Sequence, residues 1–444
     1  MSLLPIPAGP SLETCRRRRE AVLNQLGSAV MILPSALPAH RSRDTEYRYR
    51  PDSELYYLTG TTEPESLLVL VGGQDPRFIL FVRSRDTKEE LWAGPRLGPE
   101  AAAEAFGADE CYSIAEMDDR LPGLLQTGER IHYRLGVGER VDGFVRRALG
   151  QARTSGLRRG TGPRGLVDPG EILDELRLRK DAEEIEAIRA AARISAEGHR
   201  SGAAAIAAGV GEWVVEAAVD AEFRAAGATG PGFATIVGSG SNACILHYVE
   251  NRDTIDDGAL VLIDAGADAA LYNGDITRTY PAGGGFADTQ RDVYRIIEAA
   301  RQSAVERVAP GVTIASVHDA AARTIVEGLV GLGVLSGSTE ELFSEARYRP
   351  FFPHQTSHWL GLDVHDPGDY AKAGESRVLE PGMVFTIEPG LYFRPEACED
   401  AAARFSGIGV RIEDDVLVTD DGCEVLTAAL PTGESEVEDL VGAR

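Results

Sequence analysis

Residues 259–280 read ALVLIDAGADAALYNGDITRTY. The run Ala259 to Ile263 is continuously apolar, as in a strand buried on both faces, and it ends in a carboxylate, Asp264. Eleven residues later Asp275 stands in Asn273-Gly274-Asp275-Ile276-Thr277. With Ala269-Ala270 as the tip of a two-residue hairpin, Asp264 and Asp275 face each other directly. Directly opposed residues have Cβ atoms about 4.5–5.5 Å apart. Two carboxylates that close, among apolar neighbours, repel unless one is protonated or a cation neutralises them. The bland alternative is a pair of solvated hairpin acids.

Three further stretches carry the same kind of signal. In PHQTSHWLGLDVHD, residues 353–366, three of the chain's eight histidines fall within twelve residues. His354 and His358 have the i, i+4 spacing of a zinc helix, but Gln355 occupies the place of the zinc-protease glutamate. Glycine and β-branched residues oppose a regular helix there. The spacing favours one histidine as a ligand and the others around a substrate. MVFTIEPG, residues 383–390, is another apolar strand ending in an acid, Glu388. GVRIEDD, residues 409–415, places Glu413 inside an apolar strand. Four carboxylates balance the charge of two divalent cations. Oxygen donors with one imidazole suit manganese first, with zinc or cobalt as alternatives. Two metals about 3.5–4 Å apart generate hydroxide at neutral pH and stabilise an oxyanion.

Around these motifs the chain reads as α/β (α+β) in two domains. In the first, 1–173, Ala29 to Leu33 reads as a buried strand. Ser66 to Val71 and Arg77 to Val82 read as a hairpin through Gly72-Gly73. Residues 100–106 and 117–125 look helical. Residues 154–170, rich in Gly, Pro and Arg, mark a linker or domain boundary. The second domain, 174–444, opens with a capping box at Asp181 and Glu184. Helices are expected at 181–208, 211–226, 290–309 and 314–332. Strands are expected at 233–238, 259–264, 271–280, 383–388 and 408–418. The order helices, strands, helices, strands suggests an internal pseudo-duplication.

The 444 residues carry a formal net charge of −25, with 43% hydrophobic and 26% charged residues, an ordinary globular composition. The acidic balance opposes nucleic-acid binding and docking on anionic lipid. The one basic cluster, Arg16 to Arg19, reads as a solvated face of a helix opened by Ser11. Five widely spaced cysteines without a C-x-x-C fit a reducing cytoplasm. The N-terminal stretch lacks the charge order of a signal peptide, and no apolar run is long enough to span a membrane.

Taken together, LIDAGA…NGDITRTYP, HQTSHWLGLDVHD, TIEPGLY and GVRIEDDVLVT resemble the pita-bread metallopeptidases, and within them the aminopeptidase P subfamily. GSGSNACILHYVEN at 238–251 and RSRDTEYRYRPDSELYYLTGTTEPESLLVL at 41–70 extend the similarity over nearly the whole chain. The resemblance implies a pita-bread catalytic domain behind an N-terminal domain that serves oligomerisation and substrate-length control. It implies five ligands for two divalent metals: Asp264, Asp275, His358, Glu388 and Glu413. A metal-bridging hydroxide would attack the scissile carbonyl, and Glu388 would carry its proton to the leaving nitrogen. His365 and His354 would line the proline pocket and stabilise the tetrahedral intermediate, and His247 would face the substrate. Tyr392 and Arg411 would stand near that pocket. Trp92 matches a tryptophan that a neighbouring subunit contributes in tetrameric relatives, which implies a homo-oligomer, tetramer or dimer. Gln355 departs from the pattern, since relatives usually carry glycine there. The implied reaction is release of the N-terminal residue from peptides with proline second. Prolidase, a dipeptidase with the same ligands, is the alternative. Methionine aminopeptidase fits less well because of the N-terminal domain. A non-enzymatic binding protein on this fold predicts broken ligands, and none is broken.

Overall fold

The structure, a computed structural model, describes residues 7–398 and 400–442. It divides into two compact units, Ala8–Leu176 and a second that begins at Arg177.

In the first unit six strands form one sheet: β1 (Val30–Pro34), β2 (Leu67–Val71), β3 (Arg77–Val82), β4 (Glu110–Ser113), β5 (Ile131–His132) and β6 (Leu166–Val167), in the order β4-β3-β2-β1-β5-β6. β2 and β3 form the expected antiparallel hairpin, with Leu67 opposite Phe81. Ile32, Val69 and Phe81 pack against Leu121 and Val145 of the helices Met117–Leu125 and Glu139–Gln151.

The structure departs from the sequence reading at two places in this unit. Ser11 caps the helix Leu12–Leu26 as expected, but only Arg16 and Arg17 of its basic cluster are solvated. Arg18 lies over the Tyr57 ring at 4.1 Å and donates to the Tyr57 carbonyl at 3.0 Å. Arg19 lies over Phe78 and donates to the carbonyls of Leu58 and Phe106. A planar, weakly hydrated guanidinium can be buried when rings and carbonyls replace its water. Residues 154–170 are structured, so of linker and domain boundary only the second reading is left, and the first unit ends shortly after them, at Leu176. The helix Glu139–Gln151 runs on through a wide turn, Ala152–Gly156, to Arg159, and β6 then joins the sheet.

The second unit opens with helices Ala182–Ala205 and Glu212–Ala225. Asp181 and Glu184 form the expected capping box. Next come β7 (Ile236–Ser239), β8 (Leu260–Ala265), β9 (Ala267–Ala269), β10 (Tyr272–Asn273) and β11 (Ile276–Pro281). A second helix pair, Asp288–Arg307 and Ile314–Gly331, precedes β12 (Val384–Ile387), β13 (Gly390–Tyr392), β14 (Gly409–Arg411), β15 (Asp414–Val418) and β16 (Cys423–Val425). The doubled order of helices and strands is thus present. β8 pairs between β7 and β11, β15 between β12 and β16, and β13 with β14.

The hairpin register differs from expectation. Asp264 lies opposite Thr277, and the tip is Ala270-Leu271. Both tip residues adopt positive φ, 53° and 69°, and the Asp268 carboxylate accepts the Leu271 N–H. A two-residue slip keeps every side chain on its face, so Asp264 and Asp275 still share one side of the ribbon. Two expected strands are also broken, at Gly274-Asp275 and at Ile412-Glu413. The first break needs glycine, because a Cβ on Gly266 would lie 1.6 Å from the Gly274 carbonyl oxygen. At the second, the Glu413 N–H leaves its own ladder to donate to Thr277 O at 3.0 Å.

Candidate metal centre

These breaks and strand ends aim acids into one cavity of about 450 Å3 in the second unit. Asp264, Asp275, His358, Glu388 and Glu413 all line it, together with His247, His354, His365 and Arg411. His358 lies in the extended segment before β12, with no helix around it. Its Nδ1 donates to the Trp359 carbonyl at 3.1 Å, which turns Nε2 towards the acids. That Nε2 is 3.4 Å from Asp275 Oδ2, 3.7 Å from Glu388 Oε1 and 3.9 Å from Glu413 Oε1. Asp275, His358 and Glu413 each offer a ligand atom within 4.8 Å of the others.

The donor set fits a cation. Oδ1 of Asp264 and Oδ1 of Asp275 are buried with no hydrogen-bond partner among the described residues. Such orphans are rare unless something outside the protein chain satisfies them. The electrostatics agree. Burial pushes the Asp264 carboxyl up to about 7 and the Glu388 carboxyl up to about 6, with the Asp275 charge adding to both. Burial and the Asp275 and Glu388 charges raise Glu413 well above the carboxylate range. Burial alone would lower His358, but its bond to Asp275 and the charge of Glu388 raise it to about 9. The cavity is thus short of positive charge, and the imidazolium is drawn into supplying some.

Around the acids lies a directional network. His354 Nδ1 donates to the Gln355 carbonyl at 2.7 Å, so its Nε2 accepts the Tyr392 hydroxyl at 2.9 Å. Burial, aided by Arg411, holds His354 down at about 3, consistent with this neutral form. The Tyr392 oxygen accepts from Arg411 at 3.0 Å, and Arg411 also binds Asp264 Oδ2 at 2.5 Å. The His365 ring meets His358 edge-on at 4.5 Å. His247 is exposed on the cavity wall and is not a packed core histidine. Trp92 belongs to the first unit, on helix Thr87–Ala93. At 88% exposed it is not a core residue either.

Several contributors were not singled out from the sequence. Thr277 Oγ1 donates to Glu413 Oε2 at 2.6 Å. Asp415 accepts the Asp275 N–H at 3.1 Å. Arg278 and the Lys180–Asp366 pair are fully buried ionic groups behind the site. Their partners lie far apart in the chain, so no local pattern exposes them. The three consecutive acids Glu413 to Asp415 were a usable signal, because a strand sends alternate side chains to opposite faces.

Comparison with known proteins places this arrangement. The family model Metallopeptidase family M24 matches residues 186–420, and that for the aminopeptidase P N-terminal domain matches residues 15–132. The chain is 41% identical over 437 residues to the Xaa-Pro aminopeptidase of Escherichia coli strain K12, covering 98% of each. Among solved structures it resembles proline aminopeptidase P II from Yersinia pestis, with 42% identity, TM-score 0.92, and 97% and 99% of the two chains covered. It also resembles zinc-substituted E. coli aminopeptidase P in complex with product, with 40% identity, TM-score 0.93, and 98% and 99% covered.

Proposed function

This chain belongs to metallopeptidase family M24, and we propose that it removes the N-terminal residue from peptides whose second residue is proline. The observation that carries the reading is the convergence of Asp275, His358 and Glu413 in a cavity where Asp264 and Asp275 each keep an unpartnered buried oxygen. Asp264, Asp275, His358, Glu388 and Glu413 would hold two divalent cations, manganese being favoured by the oxygen-rich donor set. Bound there, the metals supply a hydroxide nucleophile at neutral pH and a Lewis acid for the scissile carbonyl.

The side chains do the rest. A bond to proline nitrogen is a tertiary amide without N–H, so the site must recognise a ring and must protonate the leaving nitrogen. Glu388 would be the proton carrier, because its carboxylate lines the cavity 3.7 Å from His358 Nε2. His365 and His247 line the cavity, His365 as the group that would meet the charge developing on the carbonyl oxygen and His247 as one that would face the substrate. His354, Tyr392 and Arg411 form one connected wall that shapes the proline pocket, with Arg411 also fixing Asp264.

Two wider features belong to the same reading. Trp92 and Leu91, 88% and 81% exposed, suit contact with a second copy of the chain in a homo-oligomer. No disulfide joins cysteines among the described residues, which suits a reducing compartment such as the cytoplasm. Metal analysis joined to hydrolysis of Arg-Pro-Pro and Gly-Pro, after chelation and re-addition of manganese, zinc or cobalt, tests the proposal. Metal-dependent release of arginine from the tripeptide is expected. Cleavage of Gly-Pro with Arg-Pro-Pro left intact would make the protein a dipeptidase instead.

A further inference from the structure

A second cavity of about 500 Å3 adjoins the first, and Gln355 and Ser357 line both. Its far walls are Ile314 and Ala315 at the start of helix Ile314–Gly331, His318 one turn on, and Tyr370. The polar atoms of these walls are already engaged. His318 Nδ1 meets Thr356 Oγ1 at 2.8 Å and its Nε2 meets the Tyr348 hydroxyl at 3.3 Å. The Tyr370 hydroxyl accepts the Trp359 N–H at 2.9 Å, and its ring stacks on Trp359. Ring faces and methyl groups are what remain for a ligand. On the divide, beside the Gln355 amide, Ser357 Oγ is buried and has no partner among the described residues.

We propose that this cavity is the subsite for the peptide residue that follows proline, that it favours a bulky apolar side chain there, and that Ser357 and Gln355 govern passage into it. The inference rests on the Xaa-Pro reading of the first cavity. In Xaa-Pro-Xaa the scissile bond carries no N–H, so the third residue's N–H is the first backbone donor on the leaving side. A peptide with proline in the first cavity brings that N–H to the divide, where Ser357 Oγ is an unused acceptor. Its next side chain then enters the apolar space. Gln355 stands at the same place, so the residue that departs from the family pattern helps to set the width of the passage.

The test compares kcat/KM for Arg-Pro-Gly, Arg-Pro-Leu and Arg-Pro-Phe in the native protein, Ala315→Trp and Ser357→Ala. Filling or emptying an apolar pocket by a few carbons changes kcat/KM by about tenfold or more, which is the expected advantage of leucine and phenylalanine over glycine. Ala315 is exposed within the first turn of its helix, so tryptophan is accommodated there by the fold while it fills the cavity. The leucine-to-glycine ratio should collapse towards one in Ala315→Trp, and Ser357→Ala should raise KM more than it lowers kcat. A flat series in the native protein, or a ratio untouched by Ala315→Trp, overturns the subsite. If no Xaa-Pro tripeptide is cleaved with metal supplied, the functional reading itself falls, and the subsite with it.

Discussion

Replacing Arg278 by methionine should loosen the metal centre without touching a ligand. The Arg278 side chain is fully buried on β11, and all five of its N–H groups are used. Nε donates to the Pro431 carbonyl at 2.9 Å. Nη1 donates to the carbonyls of Thr277 and Glu413 at 3.0 and 2.6 Å. Nη2 donates to Asp414 Oδ1 at 2.7 Å and to the Leu430 carbonyl at 2.8 Å. One planar group thus ties the strand after Asp275 to the residue Glu413 and to the segment 430–431. Methionine keeps the apolar stem and removes every donor. Breaking a buried ion pair by removing one partner costs about 3–5 kcal/mol, because the other charge is left behind. Asp414 keeps Arg301 at 2.8 Å and the Thr427 hydroxyl at 2.7 Å, which argues for the lower part of that range. The orphaned carbonyls of Leu430 and Pro431 push the other way. With roughly 2–4 °C of Tm per kcal/mol for units of this size, the melting temperature should fall by about 6–20 °C. Metal affinity should fall with it, since the Glu413 carbonyl loses its anchor. Calorimetry and metal titration of the native protein, Arg278→Met, Asp414→Asn and the double variant measure both effects. The double variant should be less destabilised than the sum of the singles. A Tm within about 3 °C of native together with unchanged metal affinity would refute the clamp.

Two further consequences are accessible. His199 is fully buried between the Ala265 carbonyl and the Tyr280 hydroxyl, and burial, with the Arg278 charge, holds it down at about 3. The unfolded chain takes up this proton below about 6.5 and the folded one does not, so stability should fall as pH drops, by ~1.4 kcal/mol per unit. Urea unfolding at pH 7 and pH 5 should show a loss of about 2 kcal/mol that His199→Gln lacks; equal losses in both would exclude His199 as the source. Lys180 and Arg177 hold Asp366, the neighbour of His365, at 3.0 and 2.6 Å in a fully buried cluster. Lys180→Met should lower kcat more than it raises KM, with Lys180→Arg recovering part of the loss. A change in KM alone would show that the cluster does not act through His365.

The legible parts of this molecule are those written locally. An apolar strand that stops at an acid announces itself within six residues, as at Asp264 and Glu388. The capping box at Asp181 and Glu184, the Leu67–Val82 hairpin and the helix pairs are equally local. The hairpin tip was misplaced because Ala270 and Leu271 take positive φ without glycine or asparagine, so the usual marker is missing. The site survived that error because a slip by two residues preserves the face. Arg18 and Arg19 were misread for the opposite reason: the rings and carbonyls that bury them come from segments about 40 to 90 residues away, beyond any sequence window. The ion clusters around Arg278 and Asp366 escaped for the same reason, since their partners are more than 100 residues distant.

The placement of those clusters follows from strand geometry. In an extended segment neighbouring side chains face opposite ways, so at several functional positions the next residue along turns away from the cavity. Glu413 faces the acids, and Asp414 turns to Arg278 and Arg301. Thr277 binds Glu413 and Arg411 on the cavity side, while Arg278 turns behind it. His365 lines the cavity, and Asp366 turns to Lys180 and Arg177. Buried carboxylates held close together repel one another, and a soft scaffold would relieve that repulsion by letting them drift apart. Charged clamps on the reverse face of the same strands oppose the drift at the next residue along. They do so without placing a cation's competitor inside the site, Arg411 excepted. The positions beside the ligands should therefore tolerate isosteric apolar replacement far worse than their distance from the chemistry suggests, because what they hold is the spacing of the acids.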